Sequence, residues 1–343
     1  MRYILEPNGK TNTAKYVSNI IVAEKIFTSR KNIYDDENEV VVFGNYGVSK
    51  GLKKLVYYLV GWFKIVSTVK INDIFHYHWL KLSFMDFFFL RILKSRGIII
   101  VGTVHNILPH ETKFFDFYFF RKIYGISDSL IFHTKGIYQS YCKSFPAPLS
   151  YHIIDHYFDK VKIEKKLENP HHILFFGNIR PYKGLEILIE SLDKISYDGE
   201  WEVTIAGQVE YDIDLLIESQ NKRANIHWLI NYIPDNEVEL LFNKAGVVVM
   251  PYLKIDTSGL LYLAKSYGKL IIAPKLGIFE ENIDNGENGI LFEVGNAVDL
   301  AKAINKAFDS DLFKRIKSRI NKDMPVNSIA IFKEKHQKVY SLI

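Results

Sequence analysis

A chain of 343 residues that is 48% apolar exceeds what one ordinary hydrophobic core holds, so two conventionally folding domains are expected. With a net charge of +5 and 24% charged residues it lacks the concentrated basic stripe of a nucleic-acid binder, while mild basicity suits anionic small substrates or an anionic membrane face. The single cysteine, Cys142, excludes an internal disulfide framework, fits a reducing cytoplasm and is expected to be a small buried apolar residue.

The start, Met1-Arg2-Tyr3-Ile4-Leu5-Glu6-Pro7, reads as a first strand rather than a signal peptide, which places the protein inside the cell. No segment reaches the ~20 continuous apolar residues that span a bilayer. After the first strand comes a turn, Pro7-Asn8-Gly9-Lys10-Thr11-Asn12, in which Asn8 and Gly9 either let a substrate approach the backbone or reverse the chain at the surface. Val40 to Phe43 is a short apolar strand. The stretch Gly51 to Lys64 mixes lysines with aromatic and aliphatic residues, as a helix lying among lipid headgroups does, or as an amphipathic helix facing a core does. Two further aromatic clusters, Phe84 to Phe89 and Phe114 to Phe120, add weight to the membrane reading.

Ile74 to Tyr77 is the next strand, and His76 and His78, two apart, face one side. No third metal ligand of matching spacing follows, so His78 and Trp79 are expected to line a substrate site and no metal is expected. After the strand Ile98 to Val101, the loop Gly102 to Glu111 is the richest acid–base cluster in the chain. There His105 stands at a strand end and Glu111 six positions on, where an imidazole and a carboxylate meet an acceptor hydroxyl, with Asn106 beside them. His133, His152, His171 and His172 read as structural. Leu130 to Phe132 completes a set of short β-branched runs whose spacers are long enough for helices, the pattern of a parallel sheet with crossovers.

The polar stretch Lys160 to Pro170 is the expected boundary, giving domains 1–160 and 161–325, with a terminal helix within 326–343 returning to the first. The second domain repeats the logic with runs at Ile173 to Phe176, Trp201 to Ala206, Ile226 to Trp228, Val247 to Met250, Leu270 to Ala273 and Ile290 to Phe292. Ligands collect at the carboxyl ends of such strands. Gly177-Asn178-Ile179-Arg180-Pro181-Tyr182-Lys183-Gly184 sets Arg180 and Lys183 where a strand ends and a helix begins, a place for a doubly negative group. Gly207 closes another strand and allows close approach of a ligand. The loop with Tyr232 and Ile233 meets a nucleobase through backbone groups, ahead of a helix capped by Asp235 or Asn236. Thr257-Ser258-Gly259-Leu260 opens a helix whose free N–H groups and positive dipole end face the same anion. Asn285-Gly286-Glu287-Asn288-Gly289 is explained by turn chemistry alone.

The spacing of these pieces resembles the two-lobed GT-B glycosyltransferases, in particular the retaining family 4, or group 1, enzymes of bacteria that assemble capsule, exopolysaccharide and O-antigen. The match is best from Ile173 to Glu293: the Gly177 to Gly184 stretch is similar to that family's diphosphate clamp, Ala245 to Tyr252 to the strand leading into its donor loop, and Tyr267 to Ala273 and Asn285 to Phe292 to its carboxy-terminal signature. In the first half it thins to His78-Trp79 and Thr103-Val104-His105-Asn106. The resemblance implies an α/β protein of two Rossmann-like parallel-sheet domains facing a cleft. It implies transfer of a sugar from a nucleoside-diphosphate sugar to a hydroxyl of a lipid-linked glycan, at the cytoplasmic face of the cell membrane.

On that reading His105, Glu111, Arg180 and Lys183 are catalytic. Gly177, Asn178, Gly207, Tyr232, Ile233, Asp256, Thr257, Ser258, Gly259 and Leu260 complete the donor site, and Asn8, Gly9, His78 and Asn106 bind the acceptor. No cofactor beyond the donor is expected, and the two cations make a metal unnecessary. One departure stands out: where the family carries a pair of glutamates around the donor loop, this chain has Ile255 and Leu263, with only Asp256 near the first. An apolar Leu263 accepts no hydrogen bond from a ribose. Retention needs no protein base beyond the leaving phosphate, whereas inversion does, and Glu111 is the residue placed for it. A sugar-nucleotide epimerase or phosphorylase, and a noncatalytic glycan or lipid-head binder, are the rival classes.

Overall fold

The computed structural model describes residues 1–7, 24–29, 38–47, 49–108, 115–158, 161, 167–220, 224–255, 258–324 and 328–343. Asn8, Gly9, Glu111, Asp256 and Thr257 lie outside the described residues. The chain divides into two compact units, Met1–His156 with Ile329–Ile343, and Tyr157–Ser328.

In the first unit the strands are β1 (Arg2–Glu6), β2 (Lys25–Thr28), β3 (Glu39–Val41), β4 (Ile74–Tyr77), β5 (Ile99–Val104), β6 (Ser129–Phe132) and β7 (Tyr151–Ile153), all parallel, in the order β3-β2-β1-β4-β5-β6-β7. The helices between them are α1 (Gly51–Thr68), α2 (Ser83–Ser95), α3 (Asp116–Ile126) and α4 (Lys135–Ser144). β1, β4, β5 and β6 are buried along nearly their whole length, as two-sided burial in a parallel sheet demands. β2 and β7 were not legible as strands. Each is too short and too polar to show a pattern, and neighbours define them: the Phe27 ring stacks on Tyr3 of β1, and β7 pairs with β6.

Cys142 corrects the expectation of burial, for it is exposed. Ile137 and Tyr141, four apart, occupy the buried face of α4, which turns Cys142 toward solvent.

The second unit repeats the architecture with six parallel strands, β8 (Asn169–Phe176), β9 (Glu202–Ala206), β10 (Ile226–Leu229), β11 (Ala245–Val249), β12 (Leu270–Pro274) and β13 (Ile290–Phe292), in the order β10-β9-β8-β11-β12-β13. Helices α5 (Leu185–Leu192), α6 (Asp214–Gln220), α7 (Asp235–Lys244), α8 (Gly259–Ser266), α9 (Ile278–Asn282), α10 (Ala297–Phe308) and α11 (Ser310–Lys322) connect and flank them. α10 shows why helices form here: Leu300, Ala303, Ile304 and Ala307 recur at helical spacing and all are buried. At α7 the cap differs from expectation. Pro234, extended at φ −65°, precedes the helix with no side-chain cap, so Asp235 and Glu237 serve the first turn through the dipole instead. The last helix, α12 (Ser328–Leu342), buries Phe332, His336, Val339 and Tyr340, and Tyr340 reaches His76 of β4 in the first unit.

Candidate functional site

Strand order locates the sites before any side chain is considered. In the second unit the chain winds outward from β8 to β9 and β10 and, separately, from β11 to β12 and β13, so direction reverses between β8 and β11. The carboxyl ends at such a reversal leave a crevice, because the two following loops run apart. Arg180 and Lys183 follow β8, and Ser258 follows β11.

Local geometry ties these loops together. Leu253 N–H donates to the Tyr182 carbonyl at 2.7 Å, and a Cβ on Gly184 would sit only 2.0 Å from the Pro251 carbonyl oxygen. Gly184 is also left-handed at φ +69°, so glycine is required twice over. Gly177 and Gly207, at the ends of β8 and β9, touch backbone to backbone: a Cβ on Gly207 would lie 2.1 Å from the Gly177 carbonyl oxygen.

Lys183 is 8% exposed, and a Cβ added to Gly177 would be 3.0 Å from its Nζ. Burial, with Arg180 nearby, pulls its pKa down from 10.5 to about 8. Among the described residues no carboxylate makes an ion pair with it. Its ammonium lies 5.5 Å from the centre of the Tyr252 ring, and the Tyr252 hydroxyl is hydrogen-bonded to Ser258. Ser258 caps α8, accepting from the Leu261 N–H at 3.2 Å, and a Cβ on Gly259 would meet nothing within 4 Å. A buried cation and an open helix amino end are thus joined through one tyrosine.

Arg180 is held differently. Its Nε and Nη2 donate to Glu210 Oε2 at 2.7 Å and Oε1 at 3.0 Å, a bidentate fork, and Asn178 Nδ2 donates to the same Oε1 at 2.9 Å. That pairing raises the Arg180 pKa further. Glu210 was missed by sequence reasoning, and Tyr252 was quoted only as the end of the stretch leading into the donor loop, with no role of its own; each reaches the site from a loop after a different strand.

Tyr232 is 71% exposed and its carbonyl takes the Asn231 side-chain N–H, while Ile233 is buried beside Ala206 and Phe242. Among the described residues no contact brings Tyr232 to the Lys183 group. Leu260 packs partly buried on the unit's apolar core, and so do Ile255 and Leu263, which occupy the places of the family's glutamates.

The first unit has its own reversal, between β1 and β4, and a row of imidazoles at its strand ends. His78, His105 and His133 are each the first residue after β4, β5 and β6, and His156 follows β7. All are buried or nearly so. His133 Nδ1 donates to the Ile154 carbonyl at 2.9 Å, which leaves its Nε2 to accept from His105 Nδ1 at 3.2 Å. His105 Nε2 in turn accepts from His78 Nδ1 at 3.2 Å. A carbonyl only accepts, so it sets the tautomers of His133, His105 and His78 in turn while these rings are neutral. Burial, then the neighbouring imidazoles, hold His105 well below the usual histidine range, so the rings are neutral near pH 7. Trp79 stacks on His105 at 4.5 Å and 6°. Asn106, partly exposed, follows directly.

His105, His133 and His156 place nitrogens within 4.8 Å of one another, the grouping among the described residues able to hold a metal. The His133 and His156 rings stack at 3.9 Å and 26°, and His133 and His105 are already hydrogen-bonded to each other through Nε2 and Nδ1. His133 was read from the sequence as structural and His156 was not singled out; the register of β5 and β6 sets His133 opposite His105, and His156 follows from the segment after β7.

Residues 158–323 match the family model of glycosyl transferases group 1. The chain is 28% identical over 186 residues to a GDP-mannose:glycolipid 4-beta-D-mannosyltransferase of Xanthomonas campestris pv. campestris, 53% of this chain and 52% of that protein. It is 29% identical over 145 residues, 40% of this chain and 35% of the relative, to a D-inositol 3-phosphate glycosyltransferase of Paenarthrobacter aurescens. The matches therefore span about half or less of these curated relatives. In fold the chain is similar to Anabaena HepE, in a structure with UDP and glucose, at TM-score 0.77 and 15% identity over 100% of this chain and 99% of that one.

Proposed function

On the premise that residues 158–323 are a glycosyl transferases group 1 domain in a GT-B glycosyltransferase fold, we propose that this chain moves a sugar from a nucleoside-diphosphate sugar to a hydroxyl of a lipid-linked glycan. One observation carries the reading: Lys183 is a buried ammonium that makes no ion pair among the described residues, and it lies 5.5 Å from the ring of Tyr252, whose loop leads into the amino end of α8. Burying that cation is costly, the charge of Glu210 offsets the cost only in part, and a diphosphate arriving there lowers it further.

In the reaction the bond from the anomeric carbon to the diphosphate oxygen breaks, and a bond from that carbon to the acceptor oxygen forms. Charge accumulates on the departing diphosphate. Lys183, Arg180 in its Glu210 fork, and the N–H groups at Ser258 and Gly259 offset it, a preorganised arrangement that acts without a metal. Gly177, Asn178 and Gly207 shape the backbone around the donor. The apolar Leu263 offers the ribose no hydrogen bond, so the nucleoside falls to other residues, and Asp256, Thr257 and the backbone at Tyr232 and Ile233 are the ones assigned to it. On the acceptor side Asn106 and His78 are the proposed partners of the hydroxyl, with Asn8 and Gly9 from the segment after β1, and His105, neutral and stacked on Trp79, meets it by exchanging one of its bonds to His133 and His78. Glu111 takes the proton if configuration inverts. Activity surviving Glu111→Gln with donor still bound would remove it from that role.

GDP-mannose is the first donor to test and a glycolipid the first acceptor, since a relative that matches half of this chain is named for both. An acceptor of that kind places the protein at a membrane face, in the assembly of a surface polysaccharide such as capsule, exopolysaccharide or O-antigen. The test is release of nucleoside diphosphate from a panel of GDP and UDP sugars with and without glycolipid. Acceptor-dependent release supports the proposal; release or epimerisation that needs no acceptor overturns it.

A further inference from the structure

We infer that the face of the first unit formed by α1, α2 and α3 docks on an anionic lipid surface. This goes beyond the transfer reaction, since it rests on that unit's exterior alone. The three helices follow one another across the sheet in the same direction, from β3 to β4, β5 and β6, and right-handed crossovers place such helices on one face.

The inner side of α1 is already satisfied. Tyr58, Gly61, Trp62 and Ile65 are buried, and the Tyr58 hydroxyl and Trp62 indole donate to the fully buried Asp86 of α2 at 2.5 and 3.0 Å. The opposite side is apolar as well. Leu52 is 76% and Phe63 64% exposed on α1, Phe84 and Phe88 are 62% and 54% exposed on α2, and Tyr118 is 56% exposed on α3. They form one surface. Phe63 and Phe88 both meet Phe89 edge-on, Phe84 lies one turn from Phe88, and Phe84 and Tyr118 both meet Phe119.

Charge names the occupant. The only carboxylates on the three helices, Asp86 and Asp116, are buried, and Asp116 accepts from Ser83 at 2.5 Å. The exposed cations are Lys53, Lys54 and Lys64 on α1, Arg91 on α2, and Arg121 and Lys122 on α3. The whole chain is nearly balanced, at 44 basic to 39 acidic residues, so this one-signed face is local. Protein interfaces deplete lysine at their core, whereas interfacial helices set lysine beside aromatic and aliphatic side chains, phosphate contacting the cations and acyl chains the rings.

Co-sedimentation of the full chain with vesicles of phosphatidylcholine, alone or with about 30% phosphatidylglycerol, tests this. Binding that needs the anionic lipid and weakens in high salt is expected. The double variants Phe63→Ser with Phe88→Ser, and Lys53→Glu with Lys54→Glu, should each lower the partition coefficient about tenfold or more. Their thermal shift with nucleoside diphosphate and their transfer to a water-soluble acceptor should match wild type, which separates this outcome from failure of the transfer reading. Wild-type protein left in the supernatant at low salt, equal binding to phosphatidylcholine alone, or variants that sediment unchanged overturns the proposal. So does a change of oligomeric state in the variants with lipid binding intact, which would make the face a protein interface.

Discussion

Raising the pH should loosen the hold of this protein on a nucleoside diphosphate, and Lys183 sets where. Burial moves its pKa from 10.5 to about 8, a loss of preference for the charged form of about 3 kcal/mol. If the diphosphate binds the ammonium, affinity follows the protonated fraction: nearly full at about pH 7, half at about pH 8, and roughly a tenth at about pH 9. Lys183→Met should bind about tenfold to a hundredfold more weakly at neutral pH and show no such decline, because a charged hydrogen bond is worth ~1.5–3 kcal/mol. Lys183→Arg keeps its charge and should hold affinity through pH 9.

The unliganded protein behaves in the opposite sense. The folded pKa lies below the unfolded one, so between about 8 and 10.5 the folded chain binds fewer protons and gains stability as pH rises. Titration calorimetry with UDP and GDP at three pH values reads the first effect, and thermal melts without nucleotide read the second. A wild-type affinity that changes less than about twofold across the range, matched by Lys183→Met, would falsify contact between this ammonium and the diphosphate.

Three further outcomes follow from particular contacts. Arg180→Ala should lower the transfer rate about a hundredfold or more by removing one charge-stabilising donor, and a fall of under about threefold in kcat would take Arg180 out of the clamp. Asp86→Ala strands the Tyr58 hydroxyl, the Trp62 indole N–H and the Lys81 and Leu82 backbone N–H groups, so denaturant melts should show a loss of about 3 kcal/mol or more; a loss under about 1 kcal/mol would mean that water replaces the carboxylate. Gly184→Ala forces a Cβ against the Pro251 carbonyl in a left-handed turn, at a cost of about 2 kcal/mol or more with nucleotide binding weakened. Unchanged melts and unchanged nucleotide affinity would show that the loop moves aside freely.

Much of the fold was legible because a parallel strand buried on both faces leaves a local mark. Runs such as Ile173 to Phe176 and Val247 to Val249 are apolar throughout and made of aliphatic, β-branched or aromatic residues, whatever surrounds them. β2 and β7 left no such mark, being short segments that neighbouring strands recruit. The cation-bearing loop was visible for a similar reason, since Gly177, Arg180, Lys183 and Gly184 all fall within one turn between strand and helix. Cys142 was misjudged because side-chain type says less about burial than the face of the helix on which a residue falls.

What the sequence determined by itself was therefore everything set by short-range chemistry: alternating strands and helices, the glycines that let loops turn, and cations and hydroxyls at strand ends. Tertiary structure alone decided which loops meet. Glu210 forks Arg180, and Tyr252 joins Lys183 to Ser258, because β9 and β11 both flank β8 in the sheet. The register of β4, β5 and β6 likewise lines up His78, His105 and His133, residues distant in the chain. The physical reason is that strand order and register are collective properties of each sheet, settled by burial over its whole unit, and no single segment carries them.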